Sequence, residues 1–286
     1  MGSWVAAWLG SVVVALGLFQ AAQPPSRPAA PLCTRASELV HIRGATEASG
    51  LAVSRRTPGL LWTHNDSGEP VLFAVDAAGT VKGRVEVTGA RVEDWEDVAA
   101  APCDGGSCLY VADIGDNNRH RRAIAIYRIP EPRPDQTASE PADVWHATYP
   151  DRAHDGEALF VAGNALFIVT KDDTSATALY RLPLLPKGGR EARLELVSRL
   201  PIELVTGASA SPDGAWVALR NSDTVFFYRT PDLIGGRPAT PLRFDVTPLG
   251  EPQGEGVALG AGGVVYLAGE GGGGGGTLAA LRCTLR

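Results

Sequence analysis

The sequence predicts an all-β fold, a five-bladed β-propeller, on three recurring signals. The first is a short motif present five times: Glu47-Ala-Ser-Gly-Leu-Ala-Val, Asp94-Trp-Glu-Asp-Val-Ala-Ala, Asp155-Gly-Glu-Ala-Leu-Phe-Val, Leu204-Val-Thr-Gly-Ala-Ser-Ala and Gln253-Gly-Glu-Gly-Val-Ala-Leu. Aligning Ser49, Glu96, Glu157, Thr206 and Glu255 gives intervals of 47, 61, 49 and 49 residues. Self-similarity at such a period marks a propeller or solenoid. The second signal is a strand ending in polar residues: Leu61-Trp-Thr-His-Asn-Asp, Leu109-Tyr-Val-Ala-Asp, Leu166-Phe-Ile-Val-Thr-Lys, Trp216-Val-Ala-Leu-Arg-Asn and Val265-Tyr-Leu-Ala-Gly-Glu. The third is Tyr127-Arg-Ile-Pro, Tyr180-Arg-Leu-Pro and Tyr228-Arg-Thr-Pro, with weaker copies at Phe73-Ala-Val-Asp and Leu281-Arg-Cys-Thr.

Each unit therefore reads as strand A, turn, strand B, loop, strand C and a more variable strand D, as in Arg84-Val-Glu-Val or Leu194-Glu-Leu-Val. Thr57-Pro-Gly, Asp104-Gly-Gly and Ser211-Pro-Asp-Gly supply turns. Short β runs punctuated by Gly, Pro and Asp are strand and turn chemistry. Four-stranded units repeated radially make a propeller. The interval of 61 holds the Pro-rich run from Pro130 to Pro141, read as a loop insertion. Six blades is the alternative and needs a unit too degenerate to see.

Residues 1–26 carry no charged side chain, and Trp4–Phe19 is an apolar run of 16. That length suits a signal-peptide core and is short for a bilayer span. The expectation is a signal peptide or N-terminal anchor over 1–22, a Pro/Ala-rich spacer over 23–32 and one propeller domain over 33–286. The protein is then secreted or extracytoplasmic, with residues 4–19 as the membrane tether if uncleaved. A lone strand over Glu38–Arg43 precedes the first repeat, and the last repeat stops after its C strand. Pairing the two closes the ring and places Cys33 beside Cys283. Cys103 and Cys108 flank a tight A–B turn and form the other expected disulfide. Four cysteines allow three connectivities, and this topology selects one. Disulfides persist in oxidising compartments.

The chain has 286 residues, 44% of them hydrophobic, so it is globular. Its net charge is −6 with no basic stripe, which argues against a nucleic-acid partner. A monomer is expected.

Propeller geometry converts the repeat into a site. The start of strand A and the end of strand B share one face. That mouth collects Glu47, Asp94, Glu96, Asp155, Glu157 and Glu255 from the A starts. From the B ends it collects His64, Asn65, Asp66, Asp113, Asp116, Lys171, Asp172, Arg220, Asn221 and Glu270. Converging carboxylates repel unless something positive sits between them, and hard oxygen ligands suit Ca²⁺. Glu96, Glu157 and Glu255, with Asp94, Asp155 and Asp113, are therefore the candidate metal ligands, and calcium is the expected cofactor. Any one of these acids equally suits capping a strand end. His64 and Glu157 are the candidate catalytic bases; His64 equally suits a loop hydrogen bond, and His154 reaches toward the mouth. Lys171, Arg220, Asn65 and Asn221 are candidate ligand-binding residues. They imply a small anionic ligand or a protein loop as partner. Asp113-Ile-Gly-Asp-Asn reads either as a cation-binding turn or as ordinary turn formers. No Gly-x-Ser-x-Gly elbow and no P-loop is present, and Gly271–Gly276 is a homopolymer with no helix after it.

Glu47-Ala-Ser-Gly-Leu-Ala, Leu61-Trp-Thr-His-Asn-Asp and Leu72-Phe-Ala-Val-Asp together resemble bacterial exported propellers of the SdiA-regulated type. More distantly they are similar to calcium-dependent propeller phytases and propeller lactonases. The resemblance covers roughly 36–286 and implies a propeller and calcium. Two functions follow as expectations: a binding propeller with a metal ion and a ligand at the acidic mouth, or a metal-dependent hydrolase of a phosphoester or lactone.

Overall fold

The computed structural model describes residues 1–2, 31–171, 177–184, 191–237, 240–271 and 274–285. The expected leader and tether, nearly all of the spacer, and Asp172 lie outside the described residues. Leu32–Arg286 forms the compact unit considered below.

Five sheets form, one from each repeat. Blade 1 contains Ala48–Val53, Leu60–Asn65, Val71–Asp76 and Val81–Glu86; blade 2 contains Trp95–Cys103, Gly106–Asp113, Ile124–Pro130 and Asp143–Thr148. Blade 3 contains Gly156–Ala162, Ala165–Thr170, Thr177–Pro183 and Glu195–Leu200; blade 4 contains Gly207–Ala210, Trp216–Arg220, Thr224–Arg229 and Leu242–Asp245. Blade 5 contains Gln253–Leu259, Val264–Glu270 and Gly276–Cys283 from the C-terminal end of the chain.

Closure differs from a single strand over Glu38–Arg43. Two short strands, Cys33–Arg35 and Val40–Ile42, both pair antiparallel with Gly276–Cys283. Between them the backbone N–H groups of Ala36 and Ser37 both reach the Ala280 carbonyl, which breaks the ladder locally. Cys33 faces Cys283 in the register, and the two are joined. Cys103 and Cys108 are joined across the blade 2 turn. Blade 2 also gains a strand beyond the four expected, Glu191–Arg193, parallel to Asp143–Thr148. The insertion is a loop, and it leans on blade 1: Thr137 and Ser139 exchange backbone hydrogen bonds with Glu86. A Cβ on Gly83 would sit 1.9 Å from the Pro134 carbonyl oxygen, so only glycine admits that crossing.

Apolar side chains gather in five clusters, each between neighbouring blades. Trp62, Trp95 and Trp145 are fully buried among them. Such burial is the dominant favourable contribution to folding.

The A strands pack side by side around the axis. The repeat position facing neighbouring backbone holds Gly50, Asp97, Ala158, Gly207 and Gly256. A Cβ at Gly50 would lie 2.5 Å from Asp97 Cα, and one at Gly256 would lie 2.5 Å from the Ser49 carbonyl oxygen. Small residues there let the strands close up, and Asp97 is the lone long side chain. Its carboxylate accepts N–H bonds from Val98 at 2.8 Å, Leu159 at 2.8 Å and Ala208 at 3.2 Å. One acid thus ties the innermost strands of blades 2, 3 and 4.

Candidate functional site

Register places the site. Ala48 pairs with Asn65, Trp95 with Asp113, Gly156 with Thr170, Gly207 with Arg220 and Gln253 with Glu270. Every A start therefore lies beside a B end, and the polar residues share one mouth.

The inner tier is Glu96, Glu157 and Glu255, exposed by only 7%, 2% and 5%. Lys171 Nζ donates to Glu157 Oε1 at 3.1 Å, and Gln253 Nε2 donates to Glu255 Oε1 at 2.7 Å. Burial raises the pKa of Glu157 to about 8, with Lys171 opposing the shift and Asp155 adding to it. Burial and the carboxylates of Glu157 and Asp94 push Glu96 up to about 11. Glu255 is also raised, chiefly by burial. Burial works against the charge on Lys171, but Glu157, Glu255 and Glu96 outweigh it and hold its pKa above the usual value. The three glutamates are electrostatically one group, as their equivalent repeat positions require.

An outer tier surrounds them. Glu47, Asp66, Asp94 and Glu270 are half-buried, and none forms an ion pair with a described residue. Burial and Glu47 push Asp66 up to about 6, and burial raises Asp94 and Glu270. Asp155 is buried and accepts the Asp116 N–H at 2.7 Å.

Other candidates sit in structural roles. Arg220 has no exposed side-chain surface and spends its donors within the protein. It bonds Glu251 twice, at 3.3 and 3.1 Å, and also the carbonyls of Asn221, Gly256 and Ala268. A Cβ at Gly254 would lie 1.7 Å from its Nη2, which explains the glycine beside Glu255. Asn221 caps its own turn through Asp223 and Thr224, and Asn65 accepts the Glu47 N–H. Asp113 accepts the N–H groups of Glu93 and Asp94 and pairs with Arg121 at 2.8 Å. Asp116 closes the same loop by accepting from His120 and Arg121.

His64 is fully buried against Trp95, with ring centroids 5.5 Å apart, and its Nδ1 meets the Asn65 carbonyl at 2.9 Å. Burial lowers its pKa to about 4, so the ring is neutral. His154 is held by Tyr180 Oη at 2.9 Å and by Asp151. Sequence reasoning missed Asp97, Glu251 and Glu131. A visible signal existed for Asp97: one acid in a repeat position otherwise held by Gly or Ala.

Among the described residues no three His, Cys, Asp or Glu side chains are grouped to hold a metal ion. The acidic trio faces the Lys171 ammonium, so a divalent ion among these carboxylates would have to displace Lys171.

No family model and no curated protein matches the sequence. Solved structures do match. The PQQ-bound aldose sugar dehydrogenase from Streptomyces coelicolor is 13% identical with a TM-score of 0.50, covering 90% of this chain and 100% of that one. A glucose dehydrogenase gives 13% identity and a TM-score of 0.50 over 87% of this chain and 100% of its own. The Malassezia sympodialis allergen Mala s 1 gives 10% identity and 0.56 over 86% and 96%. At these identities the likeness is one of fold.

Proposed function

We propose that this chain is an extracytoplasmic binding propeller whose mouth receives the positively charged group of a ligand. The observation that supports it is the surplus of acid. Three buried glutamates share one lysine, and four half-buried acids around them have no ion-pair partner among the described residues. Like charges crowded in a partly desolvated mouth are relieved by protons or by a cation. Lys171 holds the inner position, and Glu47, Asp66, Asp94 and Glu270 offer the outer one. With Arg220 consumed by Glu251, an anionic ligand meets little positive charge here. The two disulfides accord with an oxidising compartment, as does the resemblance to exported propellers.

The shared chemistry is positive charge, carried by an organic ammonium or by a divalent ion that displaces Lys171. Titration calorimetry at pH 7.5 with spermidine and, separately, with calcium chloride distinguishes the two. Binding should strengthen as pH rises from 5.5 to 7.5, since the acids must shed protons. Absence of binding by both probes, or tighter binding at the lower pH, overturns the reading.

One observation favours hydrolysis as a second reading. Glu96 and Glu157 are buried within electrostatic reach of each other and burial raises both, a setting in which one carboxyl keeps its proton while its neighbour gives one up. Turnover of a lactone or phosphoester panel, abolished in Glu96→Gln with the fold intact, is its test.

A further inference from the structure

On the face opposite the mouth, a cavity of about 930 Å³ lies between blades 1 and 2. It is built from the two features peculiar to blade 2, the insertion after Pro130 and the Cys103–Cys108 turn. Its walls are tied together by Glu131, only 2% exposed. The Glu131 carboxylate accepts from Ser54 and Trp62 of blade 1, from Ser107 of blade 2 and from the Arg55 N–H. The cavity therefore does not depend on the disulfide for its shape.

Both sulfur-bearing residues line it, yet they differ: Cys108 is buried at 4% and Cys103 is partly exposed. The other bridge, Cys33–Cys283, is buried at 3% and 4%. Arg55 and Arg56, both exposed, line it as well, and so does Asp104 within the turn; Arg56 Nη1 donates to the Glu131 carbonyl at 2.9 Å. Arg128 is engaged by Asp143 at 3.0 Å, and Glu131 by its four donors. What remains on offer is mixed charge: the Arg55 guanidinium, the other donors of Arg56, and the exposed carboxylates of Asp104 and Glu140.

We propose that Cys103–Cys108 is an exchangeable disulfide and that the cavity receives a zwitterionic thiol of the amino-acid or small-peptide class. The thiolate attacks Sγ of Cys103, the more exposed residue of the pair. A new S–S bond forms between the ligand and Cys103 as the Cys103–Cys108 bond breaks. The electron pair leaves on Cys108 Sγ as thiolate, so one disulfide replaces another without net oxidation. Arg55 and Arg56 meet the ligand carboxylate, and Asp104 meets its ammonium. Cys33–Cys283 takes no part, because its sulfurs are enclosed.

The full chain is incubated natively with reduced glutathione or with the neutral 2-mercaptoethanol, quenched by alkylation and mapped by peptide mass. Glutathione should open Cys103–Cys108 about tenfold faster per thiolate than 2-mercaptoethanol, the scale of modest electrostatic steering. The adduct should sit on Cys103, alkylation on Cys108, and Cys33–Cys283 should stay intact. Arg55→Ala and Asp104→Asn, each at an exposed position, should each bring the ratio of the glutathione rate to the 2-mercaptoethanol rate down toward one. Equal rates for both thiols, or both disulfides opening together, overturn the proposal. So does a preference that survives both substitutions.

Discussion

The carboxylate oxygen Oδ2 of Asp97 in blade 2 accepts the backbone N–H of Leu159 in blade 3 at 2.8 Å. The same oxygen accepts the N–H of Ala208 in blade 4 at 3.2 Å, and Oδ1 accepts that of Val98. Burial pushes this carboxyl up while its N–H donors pull it down. Burial outweighs the donors and holds the carboxyl well above the ordinary aspartate value.

Asp97→Asn tests this. The amide nitrogen replaces one acceptor and faces a backbone N–H across the axis. Leaving a buried donor unsatisfied costs about 1–3 kcal/mol. The variant should unfold at lower denaturant with an unchanged slope; an unchanged midpoint would remove Asp97 from the structural account.

Closure gives a second expectation. Cys33 and Cys283 are 250 residues apart, and both lie in the paired strands that seal the ring. Chain-entropy scaling gives about 5 kcal/mol as an upper bound for such a link. The Cys33→Ser, Cys283→Ser pair should therefore melt well below the parent. The Cys103→Ser, Cys108→Ser pair, which spans five residues, should melt close to it. Equal losses would contradict the assignment of closure to the first bridge.

The blades were legible because the repeat is carried by side chains with one job in every copy. Ser49, Glu96, Glu157, Thr206 and Glu255 stand at the starts of equivalent strands, and the register pairs a chain neighbour of each with a B end or, at Glu255, with the residue before it. Contacts between repeats were not legible. Arg220 ends a B strand and reads as a free cation, but its partner Glu251 lies in the variable linker before the next repeat. Glu131 lies in the insertion, where no repeat position guides the eye. Lys171 was visible as a B end; that it neutralises Glu157 depends on side-chain direction, which periodicity does not fix.

The Arg220–Glu251 pair supplies a third expectation. The side chains are 0% and 2% exposed, so removing one partner strands a buried charge. Arg220→Met should destabilise by about 3–5 kcal/mol, whereas Arg220→Met with Glu251→Leu should recover much of the loss. Equal losses in the single and double variants would show that the carbonyl bonds of Arg220, not its ion pair, matter.

The final expectation joins pH to the mouth. Glu157 titrates at about 4.5 when unfolded and at about 8 in the fold. A raised carboxyl pKa means that the native state binds the extra proton. Its contribution to stability is therefore full below pH 4.5 and lost as pH rises through 8. The steepest slope is about 1.4 kcal/mol per pH unit for each such group. Glu96 adds its own slope over the same range and goes on losing stability up to about 11. Wild-type stability should fall between pH 5 and 8, and Glu157→Gln should flatten that fall. Lys171→Met should carry the fall to higher pH, because the ammonium that opposes the Glu157 shift is gone. A cation bound only by the native state adds RT ln(1 + [L]/Kd), about 2.7 kcal/mol at a hundredfold excess over Kd. Added calcium or spermidine should then restore stability at pH 8, most of all in Lys171→Met, where the inner position is vacated. Melting curves for the three proteins at pH 5 and 8, with each cation and with chelator, separate these effects. A pH profile shared by wild type and Glu157→Gln would mean that Glu157 does not titrate between pH 5 and 8, and the raised carboxyl would drop out of the account of the mouth.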